Sequence, residues 1–559
     1  MNNKRLRLTL TLFVLFSLTL LCLFACAFSQ SKEPLVLDMV HFNPGEAPYE
    51  SVYNDPAYVK KVGFNGKVYS LFESPTLAIT WESVDKDILP KGSPEREWVD
   101  AKATKIREMQ AACKKQHLKV LAMADFILFP KRLIAKFGIE KTFGDPNNPI
   151  TIKLVKAQID EIFAQFPDMD GLVVRIGETY LQDAPYHLGS IVNKKDAQKT
   201  IIPLMKLLRE QVCVKNKKIL VFRTWGSFDV DAAKYKVISD AVEPHPNLII
   251  GVKYCEGDFH RANPFSKVIG LGRHPQIIEV QCAREYEGKG AYPNYIAHGV
   301  IDGFEEYSRM PEEAIDGLQE FADKRPELYA GVWTWSRGGG WRGPYIKNEL
   351  WCDLNAQVMS HWAKDPTVSE EHIFNGYAKK VLKLQGKDIK AFRRFCLLSA
   401  EAVVRGRNST YGDMNPWWTR DQGIGWPSTP KSAEAQQRNL KQKDESISKW
   451  KEMLQIAYSI HWNDEETKEF VLGSTEYGLC LYQIYRILVN MSYADSHHDN
   501  HAIVRWIKEY DEAWKEYKEL PKRYTSLSTL YTQDYHQYMI SNADKKVNAL
   551  RDELLNKKK

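Results

Sequence analysis

The chain has 559 residues, of which 44% are hydrophobic and 26% are charged, and its formal net charge is +6 at pH 7. This composition is typical of a soluble globular protein and excludes both a disordered chain and a membrane bundle. The length exceeds the ~250 to 300 residues that one core usually fills, which predicts more than one domain. Because part of the positive charge lies in the amino-terminal leader and the last three lysines, it does not indicate nucleic-acid binding.

The amino terminus has the pattern of a secretory signal. Cations at residues 4, 5 and 7 precede an apolar run from Leu8 to Phe28, and polar residues follow. The sequence around residue 29 fits ordinary cleavage, whereas residues 23–26 form an imperfect lipoprotein box that would put a lipid anchor on Cys26. An uncleaved membrane anchor is a third interpretation. We expect residues 1–29 to be removed, leaving no transmembrane helix, and the mature chain to reach the periplasm or the cell surface.

From residue 35 to residue 335, short apolar runs alternate with amphipathic helical stretches, the pattern of repeated βα units. The runs predict eight strands, over residues 35–42, 67–71, 119–127, 171–176, 219–225, 248–254, 277–282 and 329–335. Helices are predicted between them over residues 97–116, 151–166, 196–212, 229–242 and 311–323. Eight strands suit a closed (β/α)8 TIM barrel. A doubly wound open sheet is the alternative, because the pattern does not show strand order.

Helical periodicity dominates the rest of the chain. It covers residues 369–384, 389–404, 433–459, 467–491, 501–519 and 528–556. A loop rich in Gly, Pro and Trp interrupts it at residues 406–431. The sequence therefore predicts an α/β fold with a TIM barrel over residues 30–365 and an all-α C-terminal domain over residues 366–559.

Cysteine spacing and short motifs predict no cofactor. The seven cysteines beyond the leader are widely spaced, with no zinc-site or disulfide pattern, and core packing is their expected role. A P-loop, a dinucleotide fingerprint and an HExxH motif are all missing from the sequence. We therefore predict neither a metal nor an organic cofactor, and the sequence does not indicate an oligomeric state.

Cations concentrate where predicted strands four, five and six end. These strands carry Arg175, Arg223 and Lys253. Because the C-terminal ends of parallel strands meet at one face of a barrel, we expect the three side chains to lie close together. Arginine grips a carboxylate bidentately and lysine adds a point charge, so the group suits a substrate that carries a carboxylate. The alternative is that the arginines neutralise neighbouring protein acids.

Acids follow the same strands. Glu178 comes after strand four, Asp258 after strand six and Glu285 after strand seven. Paired carboxylates suit glycosidic cleavage, in which a protonated acid serves the leaving oxygen and an ionised one serves water or the anomeric carbon. Glu256 and Glu279 are expected to have structural roles, Glu279 because the strand pattern continues on both sides of it.

Several segments resemble glycoside hydrolase family 67, the α-glucuronidases that release glucuronic acid or its 4-O-methyl ether from xylan fragments. The likeness is carried by residues 170–178, 222–225, 253–266 and 279–288, and by the stretch 348–366 that leads into the helical part. The family usually begins with a β-sandwich domain, whereas here the first predicted barrel strand follows the predicted signal almost directly, and Ile176 and Gly177 replace the Asn and Ser beside the family's acid. The resemblance therefore indicates fold and reaction type better than specificity.

The resemblance implies an inverting hydrolysis of an oligosaccharide or polysaccharide. Glu178 would be the general acid, and Asp258 or Glu285, or both, would activate the attacking water. Arg223 and Lys253, with Arg175 in place of a family lysine, would bind the uronate carboxylate. Two other functions are kept as alternatives: hydrolysis of a different uronide or of a neutral sugar, and noncatalytic glycan binding at the cell envelope.

Overall fold

The protein is represented by a computed structural model that describes residues 33–42, 50–70, 73–176, 184–189, 196–224, 228, 231–261, 263–284, 287–306, 315–338, 347–415, 418, 424–524 and 543–556. The predicted signal, Glu178 and Glu285 lie outside these residues, and so does the side chain of Asp258.

Eight parallel strands close into a barrel. In chain order they are β1 (Leu35–Val40), β2 (Gly66–Tyr69), β3 (Lys119–Asp125), β4 (Gly171–Arg175), β5 (Ile219–Arg223), β6 (Leu248–Lys253), β7 (Gln276–Gln281) and β8 (Tyr329–Arg337). Each strand pairs with its neighbours in the chain, and β8 pairs with β1. The eight predicted strands and the (β/α)8 barrel are confirmed, and the open-sheet alternative is wrong.

Strand register determines which side chains face the barrel interior. Asp125 is the partner of Arg175, and Glu279 is the partner of both Lys253 and Trp333. Since paired residues in parallel strands point to the same face and successive residues alternate, each group shares a face of the sheet. The charged ends of β3 to β7 therefore lie on the inner face, at the C-terminal end of the barrel.

Helices surround the barrel, and capping residues define where several of them begin. They are α1 (Pro56–Lys61), α2 (Pro94–Lys115), α3 (Lys131–Phe137), α4 (Pro149–Gln165), α5 (Ala197–Leu208), α6 (Ala232–Ser239), α7 (Glu256–Phe259), α8 (Ala297–Asp302), α9 (Leu318–Lys324) and α10 (Leu350–Lys364). The Ser93 hydroxyl accepts a hydrogen bond from the N–H of Arg96, and Pro94 suits the first turn of α2. The first residues of the helix predicted over 311–323 lie outside the described part, where α9 is the helix that follows.

The described residues of the carboxyl-terminal part are largely helical, as predicted, whereas residues 528–542 of the last predicted helix lie outside the described part. It contains α11 (Glu370–Lys380), α12 (Gly386–Arg407), α13 (Ala433–Ser459), α14 (Glu465–Ser496) and α15 (Asn500–Arg523), followed by helical residues at 543–551. From Leu35 onward the chain forms one compact unit, and the domain boundary between residues 365 and 366 stays a prediction. Among the described helices, none is both long and apolar enough to cross a bilayer.

The cysteines beyond the leader are free thiols. Six are buried, and Cys480 is of intermediate burial. The expectation that they pack in the core rather than form a disulfide framework is therefore confirmed for the six.

Candidate functional site

The first charged group at the barrel mouth is a buried ion pair between β3 and β4. Arg175 donates from Nε and Nη2 to the two carboxylate oxygens of Asp125, at 3.1 Å each. The Arg175 side chain is 7% exposed and that of Asp125 is 1% exposed. Arg175 therefore makes a bidentate contact with a carboxylate of the protein itself, and its role toward a substrate stays a prediction.

A second buried ion pair crosses the inner face from β5 to β7. Arg223 donates from Nε and Nη2 to the carboxylate oxygens of Glu279 at 2.7 and 2.8 Å. The pair reaches past Gly251 of β6, where an added Cβ would lie 3.3 Å from Cγ of Arg223. A glycine at this position leaves room for the arginine. Glu279 thus has the structural role that the strand pattern predicted.

Aromatic rings form the wall beside Arg223. The guanidinium carbon lies 5.2 Å from the ring centre of Trp333 and 5.6 Å from that of Trp335. Both indoles are buried. Because a fully desolvated indole has no free face for a sugar, Trp333 serves to pack the arginine rather than to stack on substrate.

Lys253 lies at the end of β6 and shares this aromatic cluster. Its Nζ is 5.2 Å from the ring centre of Phe259, and that ring is 5.6 Å from Trp335. Lys253 is of intermediate burial, whereas Arg175 and Arg223 are buried. The structure therefore brings Lys253 and Arg223 to one cluster, and among the three predicted cations Lys253 is the one most accessible to a ligand.

The predicted acids can be placed only through their neighbours in the chain. Asp258 belongs to α7, the short helix that follows β6, but its side chain lies outside the described residues. Glu178 follows the last described residue of the β4 segment, Ile176, and Glu285 directly follows Arg284. The roles of the three acids, and the separation that would decide between inversion and retention, stay predictions.

Another charged cluster lies on the opposite face of the strands. Asp38 accepts hydrogen bonds from the hydroxyls of Thr334 and Ser336 at 2.8 and 2.9 Å. Burial raises the pKa of Asp38, although the nearby charge of Lys67 lowers it. Lys67 in turn donates to the carbonyl of Tyr53 at 2.5 Å. Because strand residues alternate between faces, this cluster joins the barrel to its outer layer and is separate from the mouth.

One trio in the described part has the spacing of metal ligands. Ligand atoms of His298, Asp302 and Glu370 lie within 4.8 Å of one another. However, Arg393 donates to both carboxylate oxygens of Glu370, and Tyr295 donates to one of them. A cation would have to displace these donors, so the contacts favour a structural ion-pair cluster.

Sequence patterns missed two buried acids that bind arginines at or after the strand ends. Asp125 is the partner of Arg175, and its only signal is its place as an acid inside an apolar strand run. Glu287 is 2% exposed and accepts hydrogen bonds from Arg284 and Asn294. Its signal is its distance from Arg284, because a spacing of three residues lets an acid and a base meet within one turn.

Comparison with known proteins finds a similar fold among solved structures but identifies no family for this chain. No protein-family model and no curated protein matches the sequence. The structure is similar to that of a GH138 enzyme targeting pectin rhamnogalacturonan II, with a TM-score of 0.55 and 11% identity over 94% of this chain and 83% of that chain. At this identity the likeness shows a shared fold, and the resemblance to family 67 stays a prediction.

Two GH84 structures align less well. CpGH84D has a TM-score of 0.39 at 11% identity, over 87% of this chain and 69% of its own. CpGH84B has a TM-score of 0.41 at 10% identity, over 89% of this chain and 74% of its own. Scores this low do not bear on function.

Proposed function

We propose that the chain is a glycoside hydrolase that cleaves a glycan at the C-terminal face of its barrel. The observation that carries the proposal is the charged and aromatic inner face at the ends of β3 to β8, the end at which TIM-barrel enzymes place their chemistry. The same strands deliver Glu178, Asp258 and Glu285 in the chain. A fold shared along most of both chains with a GH138 enzyme is consistent with this reaction class.

The proposed reaction is a single displacement. Glu178 protonates the glycosidic oxygen, while Asp258 or Glu285, or both, take a proton from the water that attacks the anomeric carbon from the opposite face. Proton transfer by positioned carboxyl groups needs no organic cofactor. Inversion would require the acid and the base to stand roughly 6.5 to 9.5 Å apart.

We further propose that the sugar removed is a uronic acid, either glucuronic acid or its 4-O-methyl ether. Lys253 is the best placed of the predicted cations to meet the uronate, because it ends β6 and is only partly buried. Arg175 and Arg223 each bond a buried carboxylate, so their part would be to shape the base of the pocket or to add to its positive potential.

A second candidate is hydrolysis of a neutral sugar. The two buried pairs, Arg175–Asp125 and Arg223–Glu279, offset four charges within the protein. A pocket neutralised in this way would not require an anionic substrate. This candidate differs from the first in substrate alone, because both use the same acids at the same face.

A substrate screen separates these functions from noncatalytic glycan binding. Aldouronic xylan fragments, pectin rhamnogalacturonan II and neutral xylo-oligosaccharides are incubated with the protein, and release of acidic and neutral sugars is measured separately. The uronide proposal predicts release of a uronic acid. Neutral sugar alone would favour the second candidate, and binding without any product would refute hydrolysis.

Lys253→Met tests the uronate contact. Losing a charge-assisted hydrogen bond worth about 1.5 to 3 kcal/mol should raise KM for a uronide on the order of 10 to 100-fold. KM for a neutral substrate should change little. Lys206→Met, at an exposed position of α5, is the matched control and should leave both values unchanged.

We also propose that the mature chain is exported. The leader over residues 1–29 supports this, with Cys26 as the candidate site of a lipid anchor. Fractionation of cells with and without Cys26→Ala tests it. Loss of membrane attachment in the variant supports the anchor, a soluble exported wild type supports ordinary cleavage, and a wild type retained in the cytoplasm refutes export.

A further inference from the structure

We propose that Glu287 is a positioning residue that holds the two segments carrying Asp258 and Glu285 in a fixed relation. This inference rests on the proposed function, because it assigns those acids to catalysis. It concerns a buried network behind the mouth, which we call the Glu287 network: Tyr254, Arg261, Arg284, Glu287, Asn294 and Glu306. All six residues are buried.

The centre of the network is the pair between Glu287 and Arg284. Arg284 donates from Nε and Nη2 to the two carboxylate oxygens of Glu287 at 3.0 and 2.9 Å, and Asn294 donates to one of them at 2.8 Å. Burial acts to raise the pKa of Glu287, but the charge and hydrogen bonds of Arg284 outweigh it and lower the pKa to about 2. The carboxylate is therefore ionised, and it binds Arg284 and Asn294, which lie on either side of Glu285 in the chain.

Arg284 connects Glu287 to the end of β6. Its Nη1 donates to the Tyr254 hydroxyl at 2.8 Å, and Tyr254 directly follows Lys253 in the chain. Arg284 also adopts a φ of 48°, in the left-handed region that a residue with a side chain seldom occupies. Contacts on all sides are needed to hold such a conformation, and the three hydrogen bonds of the guanidinium provide them.

Arg261 connects the segment after β6 to the same carboxylate and to the helical part. Its backbone N–H points to Glu287 at 3.4 Å. Its guanidinium pairs with Glu306 at 2.5 and 3.1 Å and donates to the carbonyl of Ala400 in α12. The segment is thereby fixed at Tyr254 and Arg261, on either side of Asp258.

The arrangement brackets both proposed catalytic acids between buried anchors. Asp258 lies between Tyr254 and Arg261, and Glu285 lies between Arg284 and Glu287. Arg261 and Arg284 both donate hydrogen bonds to the Glu287 carboxylate, and Tyr254 is connected to it through Arg284. Removing the charge of Glu287 would leave the buried charge of Arg284 uncompensated. We therefore expect the two segments to be no longer held in a fixed position relative to each other.

Glu287→Gln removes the charge and keeps the shape of the side chain. The matched control is Glu370→Gln, because Glu370 is also buried, is also paired with an arginine through both oxygens and also has a pKa of about 2. Its side-chain partners Tyr295, His298 and Arg393 lie outside residues 254–266 and 282–294, although Tyr295 directly follows the second range. Both variants should lose thermal stability. A loss of activity in Glu287→Gln alone would therefore report positioning and not stability.

Activity and hydrogen exchange on the full chain give two independent readouts. A misplacement of about 1 Å costs on the order of 100-fold in rate, so kcat of Glu287→Gln should fall by that order and the limbs of its pH–rate profile should shift. Glu370→Gln, assayed well below its own unfolding midpoint, should keep kcat within about threefold and an unchanged profile. Exchange in peptides 254–266 and 282–294 should be on the order of tenfold faster in Glu287→Gln alone.

The possible outcomes separate this inference from the proposed function. If the wild type hydrolyses glycans but Glu287→Gln keeps its kcat and its pH profile, or loses no more than Glu370→Gln, the positioning role is refuted. If the wild type hydrolyses nothing, the proposed function fails, but faster exchange confined to the two segments would still support the network as their anchor. Equal exchange in both variants would refute that as well.

Discussion

Removing the positive partner of the buried Arg223–Glu279 pair should destabilise the protein strongly. In Arg223→Met, Glu279 keeps a carboxylate that is 1% exposed and has lost two short hydrogen bonds. Breaking a buried pair in this way costs about 3 to 5 kcal/mol. The double variant Arg223→Met/Glu279→Gln has no uncompensated charge, and it should recover most of that loss.

The expected change can be expressed as an unfolding temperature. Unfolding entropy is about 2.1 cal/mol/K per residue, so a cooperative unit of roughly 500 residues loses about 1 °C in Tm per kcal/mol. Arg223→Met should therefore unfold about 3 to 5 °C below the wild type, and the double variant within about 2 °C of it. Calorimetry at neutral pH measures both. Lys324→Met, which breaks the exposed pair between Lys324 and Glu320, is the control and should change Tm by less than about 1 °C.

Two results would refute this interpretation of Arg223. A single variant with the Tm of the wild type would show that the pair does not stabilise the fold. A single variant that keeps its Tm but has a much higher KM for a uronide would show that Arg223 binds the uronate directly, as its position on β5 first suggested.

Two further predictions concern pH. Burial lowers the pKa of Lys443 to about 7 from its ordinary 10.5, so the folded state binds fewer protons than the unfolded state, and the stability of the wild type relative to Lys443→Met should rise between about pH 7 and 10.5. A difference that stays flat over this range, measured by calorimetry, would contradict it. Hydrogen bonds that the His298 imidazolium donates to the carboxylates of Asp302 and Glu370 raise the pKa of His298 to about 9, so its stabilisation should be complete below pH 6.5 and fade as pH rises through 9. A His298→Gln deficit in Tm that persists unchanged at pH 10 would show that its charge is not the cause.

The strands were predictable because strands of a parallel sheet that are buried on both faces consist of short continuous apolar runs. The runs at 171–176 and 248–254 end within a residue of β4 and β6. The short antiparallel pairing of Leu128–Pro130 with His187–Gly189 was not predicted, because its segments are three residues long and 59 residues apart at their starts, and periodicity does not register in so short a run.

The candidate site was predictable in part. The sequence indicated that Arg175, Arg223 and Lys253 would end neighbouring strands, and the structure places them on one inner face. It could not show that the arginines pair with Asp125 and Glu279, because those partners lie 50 and 56 residues away and meet them only through strand register. A strand-end cation attracts a substrate carboxylate and a protein carboxylate by the same physics, so only the folded arrangement decides between them.

Turnover by Glu178→Gln tests the central claim most directly. Wild type and variant are compared on the uronide that the substrate screen identifies, with the released uronic acid followed by proton NMR. Loss of a general acid should lower kcat on the order of 100 to 10,000-fold on a substrate with a poor leaving group, with the fold intact. Near-normal release by the variant, or no release by the wild type on any glycan that it binds, would contradict a hydrolase in which Glu178 is the proton donor.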